Sequence, residues 1–209
     1  MKIVKHLKQT ILTGAVVCLP FFALSQNDPL VQAFSKSYQY EKSYDYTNAI
    51  NSLKTVYNTA SYELNLRLGY LSYMAGFHKE SMAYYKVAIE LNPKAVEPRF
   101  GYVYPAAALG LTDELVTQYT AILQIDPQNT LALYRMGYIY FLRKDFPAAK
   151  TYLGKLVSLY PFSYDGLILY AKTEQQLGEK AEALNLFNRV LLLSPTDKEA
   201  NEAVKQLKQ

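Results

Sequence analysis

"RMGYIYF", residues 135–141, fits neither regular structure at first sight. Gly137 disfavours a helix, whereas Tyr138, Ile139, Tyr140 and Phe141 favour strands. Variants stand upstream as "RLGYLSY", residues 67–73, and "RFGYVYP", residues 99–105. Three readings compete: a repeated strand, a glycine loop around a ligand, and a helix with a reason to carry glycine.

The surrounding spacing decides between them. Pro93, Pro127, Pro161 and Pro195 stand 34 residues apart. Each ends an apolar segment: "AIELNP", "ILQIDP", "LVSLYP" and "LLLSPT". Proline stops a helix there, because it lacks the N–H and disfavours a helical residue before it. Counting back gives blocks 62–95, 96–129, 130–163 and 164–197. Position 8 of each block is Gly69, Val103, Gly137 or Ala171, mostly small. Position 15, where a turn should fall, is Gly76, Gly110, Lys144 or Gly178. Position 20 is Ser81, Leu115, Ala149 or Ala183. Position 24 is Tyr85, Tyr119, Leu153 or Phe187, and position 27 is Ala88, Ile122, Leu156 or Val190. Apolar sites at steps of three and four predict helix, turn, helix, turn, with about 14 residues per helix.

These blocks resemble the tetratricopeptide repeat family, in "GFHKESMAYYKVAIELNP" (76–93), "KDFPAAKTYLGKLVSLYP" (144–161) and "LGEKAEALNLFNRVLLLSP" (177–195). A degenerate earlier block holds "YDYTNAINSLKTVY" (44–57), with Tyr46, Ala49, Leu53 and Val56 at positions 17, 20, 24 and 27. It overlaps the next block by two residues, which predicts a shortened link. The family's tryptophan at position 4 is absent, and Leu115 at position 20 predicts looser or shifted packing. The resemblance implies an all-α, right-handed solenoid of antiparallel helix pairs. Its repeats would lie at about 30–61, 62–95, 96–129, 130–163 and 164–197. A capping helix would follow over 196–208, started by the Thr196/Glu199 capping-box spacing and buried along Ala200, Ala203, Val204 and Leu207.

The 209 residues are 50% hydrophobic, enough for one sizeable core and too apolar for a mostly disordered chain. Residues 1–25 read as a secretory signal peptide: a head with Lys2, Lys5 and Lys8, an apolar stretch over 10–24, and small Ala23 and Ser25 before a break at Gln26. The stretch is shorter than the ~20 residues of a spanning helix, and Pro20 interrupts it. Export to a bacterial periplasm or envelope is the expectation, with membrane contact only through the uncleaved leader. Lipoprotein anchoring at Cys18 is disfavoured, since bulky Val17 precedes it and apolar residues follow. The remainder carries 19 basic and 18 acidic residues, so no basic stripe points to nucleic acid. It contains no cysteine and one histidine, His78, and no metal motif, phosphate loop or nucleophile–base pair. No catalytic residue, metal or cofactor is expected. His78 reads as a packing residue, and Asp113 and Glu114 as first-turn acids without chemistry.

The chain's most unusual feature is 20 tyrosines with no tryptophan. Adjacent helical residues lie about 100° apart. Where position 8 faces the partner helix, position 9 points away, with positions 2, 5 and 12 beside it. The resemblance implies that this stripe faces a concave groove. Position 9 is Tyr38, Tyr70, Tyr104, Tyr138 and Lys172; position 5 includes Phe34, Leu66, Phe100 and Tyr134; position 12 includes Tyr73 and Phe141; Arg67 and Arg135 stand at position 6. This aromatic ladder predicts a groove for a protein or peptide segment, aided by hydrogen bonds from the two arginines. Glycan rings stacked on the same tyrosines are the alternative ligand. Tyr40, Tyr140, Tyr85 and Tyr119 are expected in the core. Alignment on the "RxGY" word would put Tyr102 rather than Tyr104 on the stripe. Pro105 predicts a kink or break near Tyr104.

Overall fold

The computed structural model describes residues 28–209; the expected signal peptide and its cleavage point lie outside them. The described residues form helices without strands. Ten helices pair: α1 (Pro29–Lys42) with α2 (Tyr46–Lys54), α3 (Tyr62–Met74) with α4 (His78–Leu91), α5 (Glu97–Ala108) with α6 (Thr112–Ile125), α7 (Thr130–Leu142) with α8 (Phe146–Leu159), and α9 (Tyr164–Gln176) with α10 (Lys180–Leu193). α11 (Lys198–Leu207) packs on α10. Each helix packs on its chain neighbours, so the architecture is an all-helical solenoid. No described helix is long and apolar enough to cross a membrane.

"RMGYIYF" lies inside α7. A Cβ at Gly137 would stand 2.5 Å from Leu153 Cγ, so glycine is what lets α8 close on α7. The turn between paired helices is the same each time. The N–H at position 16 donates to the carbonyl at position 11: Asp45 to Tyr40, Phe77 to Ser72, Leu111 to Ala106, Asp145 to Tyr140 and Glu179 to Glu174, all within 2.8–3.0 Å. The bond requires a left-handed residue at position 15. Gly76, Gly110 and Gly178 supply it at φ 81°, 72° and 81°, and Tyr44 and Lys144 adopt it at φ 60° and 59° despite their side chains. At the other end of each pair, α4, α6, α8 and α10 stop two residues before the periodic prolines.

The core follows the block positions. Ala49, Ser81, Ala149 and Ala183 at position 20, and Leu53 and Leu153 at position 24, are fully buried. Leu115, too large for that small slot, is half-buried where the other position-20 residues are fully buried. Tyr85, Tyr119 and Phe187 are buried and Tyr140 half-buried, the last stacked on Tyr152 at 5.6 Å. Tyr40 corrects the expectation of a core residue, since it is 39% exposed. The residue matching Tyr152 in its own block is the small Ser52, which gives its ring nothing to stack on.

Three further expectations are corrected. The link after α2 is not shortened; the helix is, with nine residues against fourteen in α4. The longer connection is held by buried Asn65, which donates to the Thr59 and Ser61 carbonyls and accepts from the Tyr57 hydroxyl. The break near Tyr104 does not occur, because α5 runs unbroken past Pro105. Pro105 stands in the last turn of α5, where it forfeits only the bond to Gly101, and both it and Ala106 are buried. Finally, α11 starts from Asp197 rather than Thr196: the Asp197 carboxylate accepts from Ala200 N–H at 2.8 Å and from the Tyr164 hydroxyl of α9. The stripe of Ala200, Ala203, Val204 and Leu207 packs on the last pair as expected.

The Ala200 N–H first, and then Tyr164, hold the Asp197 carboxyl below its ordinary value of 3.8. A depressed carboxyl stabilises the fold above its unfolded pKa and loses that contribution as pH falls through the folded one. Asp197 is also the N-cap of α11, and losing that cap in Asp197→Ala should cost about 1 kcal/mol at pH 7. The gap between variant and wild type should narrow as pH falls through the Asp197 value, which urea titrations at pH 7 and pH 3 would check.

Candidate functional site

Tyr38 of α1, Tyr70 of α3, Tyr104 of α5 and Tyr138 of α7 are exposed by 49%, 36%, 54% and 40%. The proline register is thus the correct one for the third block. Tyr102 is buried, its hydroxyl donating to Glu114 at 3.1 Å, and burial and then Glu114 push that hydroxyl up to about 12. The displaced "RFGY" word has a packing origin. A Cβ at Gly101 would lie 2.2 Å from the Tyr85 ring, and one at Gly69 would lie 2.9 Å from it. Gly69 faces its own pair's second helix, as Gly137 does, whereas Gly101 faces the second helix of the pair before. Tyr85 is wedged between them.

Five of the candidate residues converge. Phe34, Tyr38, Leu66, Arg67 and Tyr70 line one cavity of about 480 Å³ with Glu63, Tyr85, Glu97 and Gly101. Arg67 is not free to reach a ligand. Its guanidinium pairs with Glu41, donates to Ser37 Oγ at 3.3 Å and stands 3.9 Å from the Tyr38 ring centroid and 5.6 Å from that of Tyr70. Burial alone would raise the Glu41 carboxyl, but Arg67 and Tyr70 together hold it below the usual range. The adjacent Glu41 and then burial push the Tyr70 hydroxyl above its own. The expected hydrogen bonding from Arg67 is therefore corrected: a carboxylate one turn beyond Tyr38 satisfies it internally.

The remaining candidates form separate groups. Tyr73 packs at 5.8 Å on both Tyr104 and His78, which gives His78 its packing role. Tyr134 stacks on Tyr138 at 6.3 Å, with Arg135 6.0 Å from the Tyr134 ring. Phe100 is half-buried against Tyr119. Phe141 packs edge-on against Phe146, and it lines a cavity of about 280 Å³ with Lys172, whose ammonium pairs with Glu199 of α11 at 2.7 Å. Among the described residues, no two of the four exposed tyrosines stack on each other. Asp113 pairs with Arg143 and Glu114 serves Tyr102, so both first-turn acids have structural partners. Glu63 and Glu97 were missed as lining residues, although position 2 belongs to the stripe on which Tyr70 and Tyr104 stand.

Paired helices packed in succession, with side chains of the first helices left open, define a helical-repeat fold. The tetratricopeptide repeat model matches residues 131–163, the α7–α8 pair. A tetratricopeptide repeat protein from Parabacteroides merdae has the same fold, with a TM-score of 0.71 and 23% identity over 86% of this chain and 72% of its own. The MamA protein matches with a TM-score of 0.69 and 15% identity over 87% of this chain and 96% of its own. YrrB, described as a tetratricopeptide repeat protein with an unusual peptide-binding site, matches at 0.63 and 18% over 78% of this chain and 81% of its own. No curated protein sequence matches the chain. The likeness to tetratricopeptide repeats thus consists of a family-model match over one helix pair and a shared fold over most of the chain.

Proposed function

We propose that this chain is an exported, non-enzymatic adaptor that holds a protein or peptide segment against the tyrosine-bearing face of its first helices. The observation that carries this reading is the exposure of Tyr38, Tyr70, Tyr104 and Tyr138, one from each of four successive pairs. Large aromatic side chains spaced in this way cost little entropy to order and are favoured at interfaces. The first helices also approach one another across pairs, α3 on α5 and α7 on α9, which supports reading their side of the solenoid as the inner one. The peptide-binding site in the description of YrrB is consistent with this use of the fold. Export rests on the leader alone, and a periplasmic or envelope location follows from it.

A displayed peptide library selected on the immobilised chain would test the reading. Selected peptides should bind the folded Tyr70→Ala/Tyr138→Ala variant at least about tenfold more weakly, since tyrosine is enriched among the interface residues whose truncation costs more than about 1 kcal/mol. Equal affinity for the variant would remove the tyrosine face from the binding site. Cell-wall and polysaccharide fragments in the same assay test the glycan alternative.

A further inference from the structure

The cavity between α1, α3 and α5 is more acidic than the arginines of the sequence suggest. Glu63 and Glu97 line it beside Tyr38 and Tyr70. Both are exposed, and neither belongs to an ion pair among the described residues. Their nearest polar partners are neutral: the Ser61 hydroxyl at 3.1 Å for Glu63 and the Tyr62 hydroxyl at 3.4 Å for Glu97. Arg67, the only basic residue of the lining, is already neutralised by Glu41. Three carboxylates against one guanidinium leave a formal charge of −2 around an aromatic cavity.

Tyrosine faces act in the same direction. The negative face of an aromatic ring attracts a cation placed within about 6 Å of its centroid. Arg67 over Tyr38 is an internal instance of that geometry. A volume of about 480 Å³ falls inside the range of roughly 300–1,000 Å³ in which proteins hold small ligand groups.

We infer that the cavity selects a cationic peptide group, a lysine or arginine side chain, seated on the tyrosine faces with Glu63 and Glu97 as its counter-ions. This rests on the reading of the tyrosine face as a peptide site and narrows it. An acidic segment would meet carboxylates with no free cation to receive it. A neutral segment would gain the aromatic contacts alone.

The test is fluorescence anisotropy with the full-length chain and three labelled octapeptides of one framework, carrying three arginines, three citrullines or three glutamates. The arginine peptide should bind about tenfold more tightly than the citrulline peptide, the sum expected from two exposed ion pairs. Glu63→Gln/Glu97→Gln, which keeps side-chain shape, should abolish the difference. Raising salt from about 50 to 500 mM should shrink it, because screening lengths fall well below 10 Å. Equal binding of arginine and citrulline peptides, or an unchanged preference in the glutamine variant, overturns the inference. Absence of arginine-peptide binding overturns it as well. The Tyr70→Ala/Tyr138→Ala variant separates the two levels. If charge does not matter but citrulline-peptide binding still falls in this variant, the tyrosine site stands without the cation preference. If neither change matters, both readings fail.

Discussion

Gly137→Leu is expected to stop the fourth helix pair from closing, at a cost of about 3 kcal/mol, the upper end for overpacking a core. Even a bare Cβ at Gly137 would stand 2.5 Å from Leu153 Cγ, and Leu153 is fully buried between α8 and its neighbours. Leu153 therefore has nowhere to retreat, and a leucine at 137 must push the helices apart. The melting temperature should fall by roughly 6–12 °C, given about 2–4 °C per kcal/mol for a chain of this size. Tyr138→Ala, one residue away, removes a side chain that is 40% exposed and should change stability little. Circular-dichroism melts of the two variants provide the check. A leucine variant melting with the wild type would show that Gly137 is not a packing requirement.

Tyr85→Ala should be comparably severe, at about 3–5 kcal/mol, for the opposite reason. The ring is 5% exposed and fills the space left by two glycines on different helices, Gly69 of α3 and Gly101 of α5. Those glycines cannot move inward far enough to occupy it, so truncation leaves a void at the junction of the second and third pairs. In a solenoid, stability is close to a sum of local units and nearest-neighbour interfaces. Weakening one interface should therefore split the denaturant transition in two, with the first pairs unfolding apart from the last. A single transition shifted by less than about 1 kcal/mol would show that Tyr85 does not couple the pairs.

The periodic prolines made the helix pairs legible, because stopping a helix is a local property of proline that needs no tertiary context. The turn at position 15 was legible even at Lys144, whose side chain gives no sign of a left-handed residue; the spacing of its neighbours did. What could not be read were choices made between helices. The glycine in "RFGY" looks equivalent to those in "RLGY" and "RMGY", yet it serves the preceding pair, and only the Tyr85 contact tells them apart. Tyr40 occupies the same position as Tyr140 but lacks the stacking ring, because its partner position holds Ser52. Arg67 looked like a groove donor because Glu41, which holds it, belongs to a different block 26 residues earlier. The exposed tyrosine positions were therefore legible in the sequence, and the internal pairing of Arg67 with Glu41 was not.

Tyr85 both joins the second pair to the third and forms part of the cavity lined by Tyr38 and Tyr70. The same ring is thus a wall of the cavity and a spacer in the stack. Any change in the pitch between those two pairs must reshape the cavity. The curvature between these pairs and the shape of the cavity are thus tied to one side chain.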